Sequence, residues 1–139
     1  MDAAQALADL TEISSQIEAA VLFDASGEVE ASTLAGDDAA GALARGAAEL
    51  LERAGSFRSS AAEVTQLEVS TQEGSVFVVR DGARRIAATT AREPTVGLVF
   101  YDLKSCLRDA TAEPEEPEEP EEPEKATRSR RKKEPDGAA

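Results

Sequence analysis

Val76-Phe77-Val78-Val79-Arg80-Asp81-Gly82-Ala83-Arg84-Arg85-Ile86-Ala87-Ala88-Thr89 is the stretch that decides the fold. Its four leading apolar residues, Val76 to Val79, present hydrophobic side chains to both faces of a strand, as befits one enclosed between two layers. Asp81-Gly82 is a favoured two-residue hairpin turn, and Ile86 to Thr89 returns as the neighbouring strand. The centre of a sheet covered on both sides is expected here.

Upstream, Val64 to Thr71 alternates, with Thr65, Leu67 and Val69 on one face and Gln66, Glu68 and Ser70 on the other, before a turn at Gln72-Glu73-Gly74. Earlier still, Gly36-Asp37-Asp38 supplies a capping carboxylate and negative charge at a helix start, and the Ala/Leu-rich run to Ala54 has strong helix propensity, with Gly55 as its stop. Asp37 and Asp38 read as capping residues rather than metal ligands. Ala19 to Phe23, closed by Asp24-Ala25-Ser26-Gly27 and followed by the alternating Val29, Ala31 and Thr33, reads as a hairpin. From Ala3 to Ile17, apolar residues at spacings of three and four predict a first helix. Downstream of the central hairpin, Pro94 opens a last helix whose stripe is Val96, Val99, Phe100, Leu103, Cys106 and Leu107. The predicted order is αββαβββα.

The 139 residues divide at a change of composition into a folded domain, 1–112, and a disordered Glu/Pro-rich tail, 113–139. The net charge of −13 is shared unevenly: 18 acidic against 9 basic residues leave −9 before Glu113, and 10 against 6 leave −4 after it. So acidic a domain repels nucleic acid and anionic lipid. No apolar run is long enough for membrane insertion, no signal peptide is evident, and the single cysteine fits a cytoplasmic chain.

With no histidine and one cysteine, Ser-His-Asp triads, Cys-His dyads and thiolate clusters are excluded. Gly41 to Gly46 has the glycine spacing of a phosphate-binding loop, but Ala47-Ala48 stands where Lys-Ser/Thr is required. Arg84, Arg85 and Arg92 suggest an arginine finger, yet successive strand residues point to opposite faces. Cys106 falls on an apolar stripe, as a buried inert thiol would, and Tyr101 lies on the other side of that helix as a candidate partner-facing aromatic. No cofactor, no metal and no enzymatic activity are expected.

The element order, together with Val21-Leu22-Phe23-Asp24-x-x-Gly27 and Pro94-Thr95-Val96-Gly97-Leu98-Val99, resembles the roadblock/dynein light chain family over about Leu7 to Leu107. The resemblance implies an α+β, three-layer, profilin-like fold, with a five-stranded antiparallel sheet, the first and last helices on one face and the middle helix on the other. It further implies pairing of two copies through the third strand and the middle helix, and binding of a Ras-like small GTPase.

At about 100° per residue the middle helix carries one stripe of Ala39, Leu43, Ala47, Leu50 and Ala54, flanked by Ala44, Ala48 and Leu51. The flank, with Val64, Gln66 and Glu68 of an edge strand, forms the expected homodimer interface. Pattern alone favours a helix that is simply rich in alanine, and is also served by an edge guarded by Glu63 and Glu68; the resemblance is what favours the interface. The remaining polar arc of the helix supplies the expected GTPase contacts, Arg45, Glu49, Glu52 and Arg53.

In the tail, Glu-Glu-Pro recurs three times between Glu115 and Pro123, and Arg128, Arg130, Arg131, Lys132 and Lys133 form a basic tip. The tip is a candidate contact for an acidic surface, and the alternative is a solvated, solubilising tail. Two other functions fit the sequence, a purely structural oligomerisation subunit and a small-molecule sensor. The few aromatics argue against the sensor.

Overall fold

The computed structural model describes residues 1–57 and 63–111. The tail boundary at 112–113 and the basic tip, Arg128, Arg130, Arg131, Lys132 and Lys133, lie outside the described residues. The elements run α1 (Ala3–Ile13), β1 (Ile17–Asp24), β2 (Val29–Ser32), α2 (Asp37–Gly55), β3 (Gln66–Ser70), β4 (Ser75–Asp81), β5 (Arg84–Thr90) and α3 (Val96–Thr111). The order αββαβββα is the one the sequence predicts. The strands form one antiparallel sheet in the order β2-β1-β5-β4-β3.

Alternation along the strands sorts side chains into two cores. On one face Leu22, Phe77, Val79, Ile86 and Ala88 meet Leu7 and Leu10 of α1 and Val99, Leu103 and Leu107 of α3. On the other, Val21, Phe23, Val78 and Ala87 meet Ala40, Ala44, Ala47 and Leu51 of α2. Val76 to Val79 thus feeds both layers. Phe77 also meets Phe100 edge to face, with ring centroids 5.0 Å apart.

Several local readings are corrected. The first helix stops at Ile13, which is exposed, and Ile17 already belongs to β1. Helix α2 is capped by Gly36 with no side-chain hydrogen bond, so Asp37 and Asp38 contribute charge to its first turn and do not cap it. Gly55 is the last helical residue rather than a left-handed stop, and Ser56 closes the helix in right-handed geometry.

The central hairpin is also shifted by one residue. Asp81 pairs with Arg84, which makes Gly82-Ala83 the two-residue turn. Gly82 has φ 64° and Ala83 keeps a negative φ, so glycine sits at the first central position, where a type II′ turn wants it. Arg80 and Arg85 therefore face each other across the two strands.

Candidate interaction surface

Helix α2 covers only part of its sheet face, packing on β1, β2 and β5. Beyond it, Leu67 and Val69 of β3 and Val76 of β4 share that face and are only half-buried. Strand β3 pairs with β4 alone and forms one border of the sheet, leaving a row of backbone N–H and C=O groups without a sheet partner. An incompletely roofed apolar face thus ends at an open edge.

The helix carries partly covered apolar residues on both sides of its buried row. Ala44 is wholly enclosed and Leu51 is 6% exposed, both against this chain's own sheet, so neither has surface for a second copy. Leu43 and Leu50, one residue before each, are half-buried, as is Ala54, while Ala39 is exposed. Ala47 is buried with Ala40, Ala44 and Leu51, so the sheet takes residues from both predicted rows, and these alanines let the helix sit close to it. Of the other interface candidates, Ala48 and Val64 are half-buried and pack on the α2 core, while Gln66 is exposed. Glu68 turns to the opposite face, where its carboxylate accepts from Ser75 Oγ at 3.1 Å and Ser70 Oγ at 2.9 Å.

Arg45, Glu49, Glu52 and Arg53 are all exposed on α2. Arg53 Nε donates to Glu49 Oε2 at 2.8 Å, one helical turn away. Such a surface pair contributes little to stability and leaves the groups available to a partner. Gly41 and Gly46 lie inside α2, so their spacing forms no phosphate-binding loop.

Beside this arc is a cleft of about 490 Å³ lined by Arg45, Ala48, Glu49 and Glu52 of α2, by Ala25 to Gly27 of the β1–β2 turn, and by Arg80 and Arg85. Arg85 is only 8% exposed, and its Nη1 donates to Gly82 O at 3.0 Å. Burial, aided by the like charge of Arg80, pulls its pKa down. Glu63 reaches Arg80 from the rim at 3.9 Å. The turn itself is held by Asp24, whose carboxylate accepts from Ser26 N, Ser26 Oγ and Glu28 N, contacts that press its pKa below the ordinary value.

The other candidates fall elsewhere. Arg84 points to the α1/α3 face, where it pairs with Glu30 at 2.7 Å and donates to Ala110 O at the end of α3. Arg92 is exposed and far from Arg85 in the chain register, beyond the opposite end of β5. Cys106 is buried with Sγ 3.4 Å from Ala6 O, and burial, with Asp109 and Asp9, pushes its thiol up to about 12. Tyr101 is 65% exposed, alongside exposed Leu98 on the outer side of α3. Among the described residues no group of three His, Cys, Asp or Glu is placed to hold a metal, and no helix is long and apolar enough to cross a membrane.

The Arg80–Arg85 pair is what sequence reasoning missed. Its signal was present, since a turn at Gly82-Ala83 puts residues 80 and 85 opposite each other.

No curated protein matches the chain in sequence. Among solved structures, a Roadblock/LC7 domain from Streptomyces avermitilis is similar at 20% identity, covering 78% of this chain and 94% of that one, with a TM-score of 0.69. The gliding protein mglB from Thermus thermophilus is similar at 16% identity, covering 78% and 84%, with a TM-score of 0.59. MglB of Myxococcus xanthus is similar at 14% identity, covering 78% and 81%, also at 0.59. At these identities the likeness establishes a shared fold. The Roadblock/LC7 domain family model matches residues 4–91, from α1 through the end of β5, and with the layer order and sheet topology already described, this chain belongs to the Roadblock/LC7 domain family.

Proposed function

We propose that the chain is a non-catalytic, homodimeric adaptor that binds a Ras-like small GTPase through the exposed polar arc of α2. The observation that carries this is the pairing, on one helix, of an unsheltered apolar flank with a charged flank. The first, Leu43, Leu50 and Ala54 with Ala39, is only partly covered by this chain and suits a second copy. The second, Arg45, Glu49, Glu52 and Arg53, remains in solvent and suits a polar, partner-specific surface. Membership of the Roadblock/LC7 family supports the GTPase as partner, and a relative described as having a tetrameric arrangement supports self-association.

Self-association has two candidate surfaces, the Leu43, Leu50 and Ala54 flank of α2 and, apart from it, the β3 edge around Gln66. Closing the β3 edge would cover Leu67, Val69 and Val76 and pair the free backbone of β3. In this reading the chain positions the GTPase and supplies none of the chemistry.

The test is binding of the full chain to a small GTPase encoded beside it, loaded with GDP or with a non-hydrolysable GTP analogue. Binding in one nucleotide state, weakened at least tenfold by Arg45→Glu with Glu52→Arg, is the expected result. Absence of binding in both nucleotide states would overturn the proposal.

A further inference from the structure

Basic residues are placed unevenly in this acidic domain. Arg45, Arg80, Arg84, Arg85, Lys104 and Arg108, six of the nine before Glu113, line three cavities around the sheet end formed by the Asp81–Arg84 turn. Within the first cavity, Arg80 and Arg85 stand directly opposite on adjacent strands, an arrangement that like charges disfavour. Arg85 is more than nine-tenths buried, yet among the described residues its guanidinium makes one hydrogen bond, to Gly82 O. A buried guanidinium with most of its donors unused calls for an anion. The nearby acids serve this need poorly: Asp24 is engaged by its own turn, Glu49 by Arg53, Glu63 touches Arg80 only at 3.9 Å from an exposed position, and Glu52, exposed on the α2 side of the cleft, makes no ion pair with either arginine among the described residues.

We propose that this cleft is a carboxylate-binding site and that its occupant is the chain's own Glu/Pro segment, Glu113 to Glu124, folded back across the end of the sheet. The segment carries eight glutamates and no base. It begins at the right place, because Thr111 lines the cavity formed with Asp81 to Arg84, and Arg84 holds Ala110 O there. The Gly82-Ala83 turn separates that cavity from the Arg80–Arg85 cleft on the other face. Crossing from one helix layer to the other takes on the order of 20 Å, at about 10 Å per layer. Twelve residues reach on the order of 37 Å at ~3.1 Å each.

Guanidinium–carboxylate pairing gives charge-assisted, bidentate hydrogen bonds, and the threefold Glu-Glu-Pro repeat offers several equivalent registers. Tethering keeps the carboxylates at roughly millimolar effective concentration, so individually weak contacts suffice. Such a contact lies within one chain and is read without a GTPase present. Arg45, Glu49 and Glu52 border the cleft and also belong to the proposed GTPase arc, so an occupied cleft would compete with that partner.

A nitroxide on Ala126→Cys in the full chain tests it, with Cys106 buried and slow to label. At 20 mM salt, amide signals of Ala25 to Gly27 and of Arg45 to Glu52 lose at least half their intensity. They recover at 500 mM salt, where the pairing is screened. They also recover in a variant with Gln at positions 115, 116, 118, 119, 121 and 122, and in Arg45→Gln with Arg80→Gln. Unaffected cleft amides at low salt overturn the proposal. So does broadening that survives the Glu→Gln changes, or broadening that arises only between separately labelled chains.

Discussion

Replacing Gly74 by alanine tests how tightly the β3–β4 turn closes against the end of β5. Gly74 has φ 153°, a region that side chains with a Cβ enter at a cost of order 1–3 kcal/mol. A Cβ there would stand 1.9 Å from Thr90 O, a backbone atom. Thr90 cannot yield cheaply, since it is paired with Ser75 in β4 and with Ile17 in β1. Relieving such a contact adds about 1–3 kcal/mol, by analogy with overpacked cores. Gly74→Ala is therefore expected to cost roughly 2–6 kcal/mol, a large part of a small domain's stability. Gly27 is the internal control: its φ is 90° but a Cβ there meets nothing within 4 Å, so Gly27→Ala incurs strain alone. Urea unfolding followed by far-ultraviolet circular dichroism reads the difference, with unchanged m-values as the check that both remain two-state. If Gly74→Ala falls within about 0.5 kcal/mol of Gly27→Ala, the steric argument is refuted.

Three further outcomes are expected. Leu50→Asp should weaken self-association at least tenfold by sedimentation while leaving the fold intact, whereas Leu51→Ala should cost about 2–5 kcal/mol of stability; a Leu50→Asp chain that sediments as the parent would count against the α2 flank as an interface. Cys106, with its thiol raised to about 12, should react with iodoacetamide at pH 8 about a thousandfold more slowly than an exposed cysteine, and reach the ordinary rate once unfolded. The Asp24 pKa lies below its usual 3.8 in the folded chain, so the carboxylate contributes stability above that value and loses it as pH falls through the depressed one. The deficit of Asp24→Ala relative to the parent should accordingly be constant at neutral pH and shrink below about pH 4.

The element order was legible because it depends on periodicity, which the sequence states directly, whereas the assignment of helices to the two faces rested on the family resemblance. Val76 to Val79 is apolar at every position, so it had to feed two cores, and Leu67 and Val69 alternate, so they had to share a face. Choosing between two adjacent stripes on α2 was harder. Leu50 and Leu51 are only about 100° apart around the helix axis, and which one meets the sheet is decided by how the helix lies across β1, β2 and β5. Turn placement mattered most. Assigning the turn to Asp81-Gly82 sets Arg80 against Ala83 and hides the two guanidiniums from each other. Moving it one residue, to where Gly82 alone takes the positive φ, brings them face to face. A single-residue error in register thus concealed the most unusual electrostatic feature of the domain.

Arg84 joins three parts of the molecule, since it belongs to β5, pairs with Glu30 on β2 and holds the final turn of α3 through Ala110 O. The last helix therefore does not swing at its end, and whatever follows residue 111 has a fixed point of departure. A tether rooted against a wall explores about half the volume open to one rooted in free solution, which roughly doubles its encounters with the wall's near side. A fluorescent protein or affinity tag appended to the C-terminus would inherit the same bias, crowding the Asp81–Arg84 end of the sheet. One attached before α1 would be rooted elsewhere.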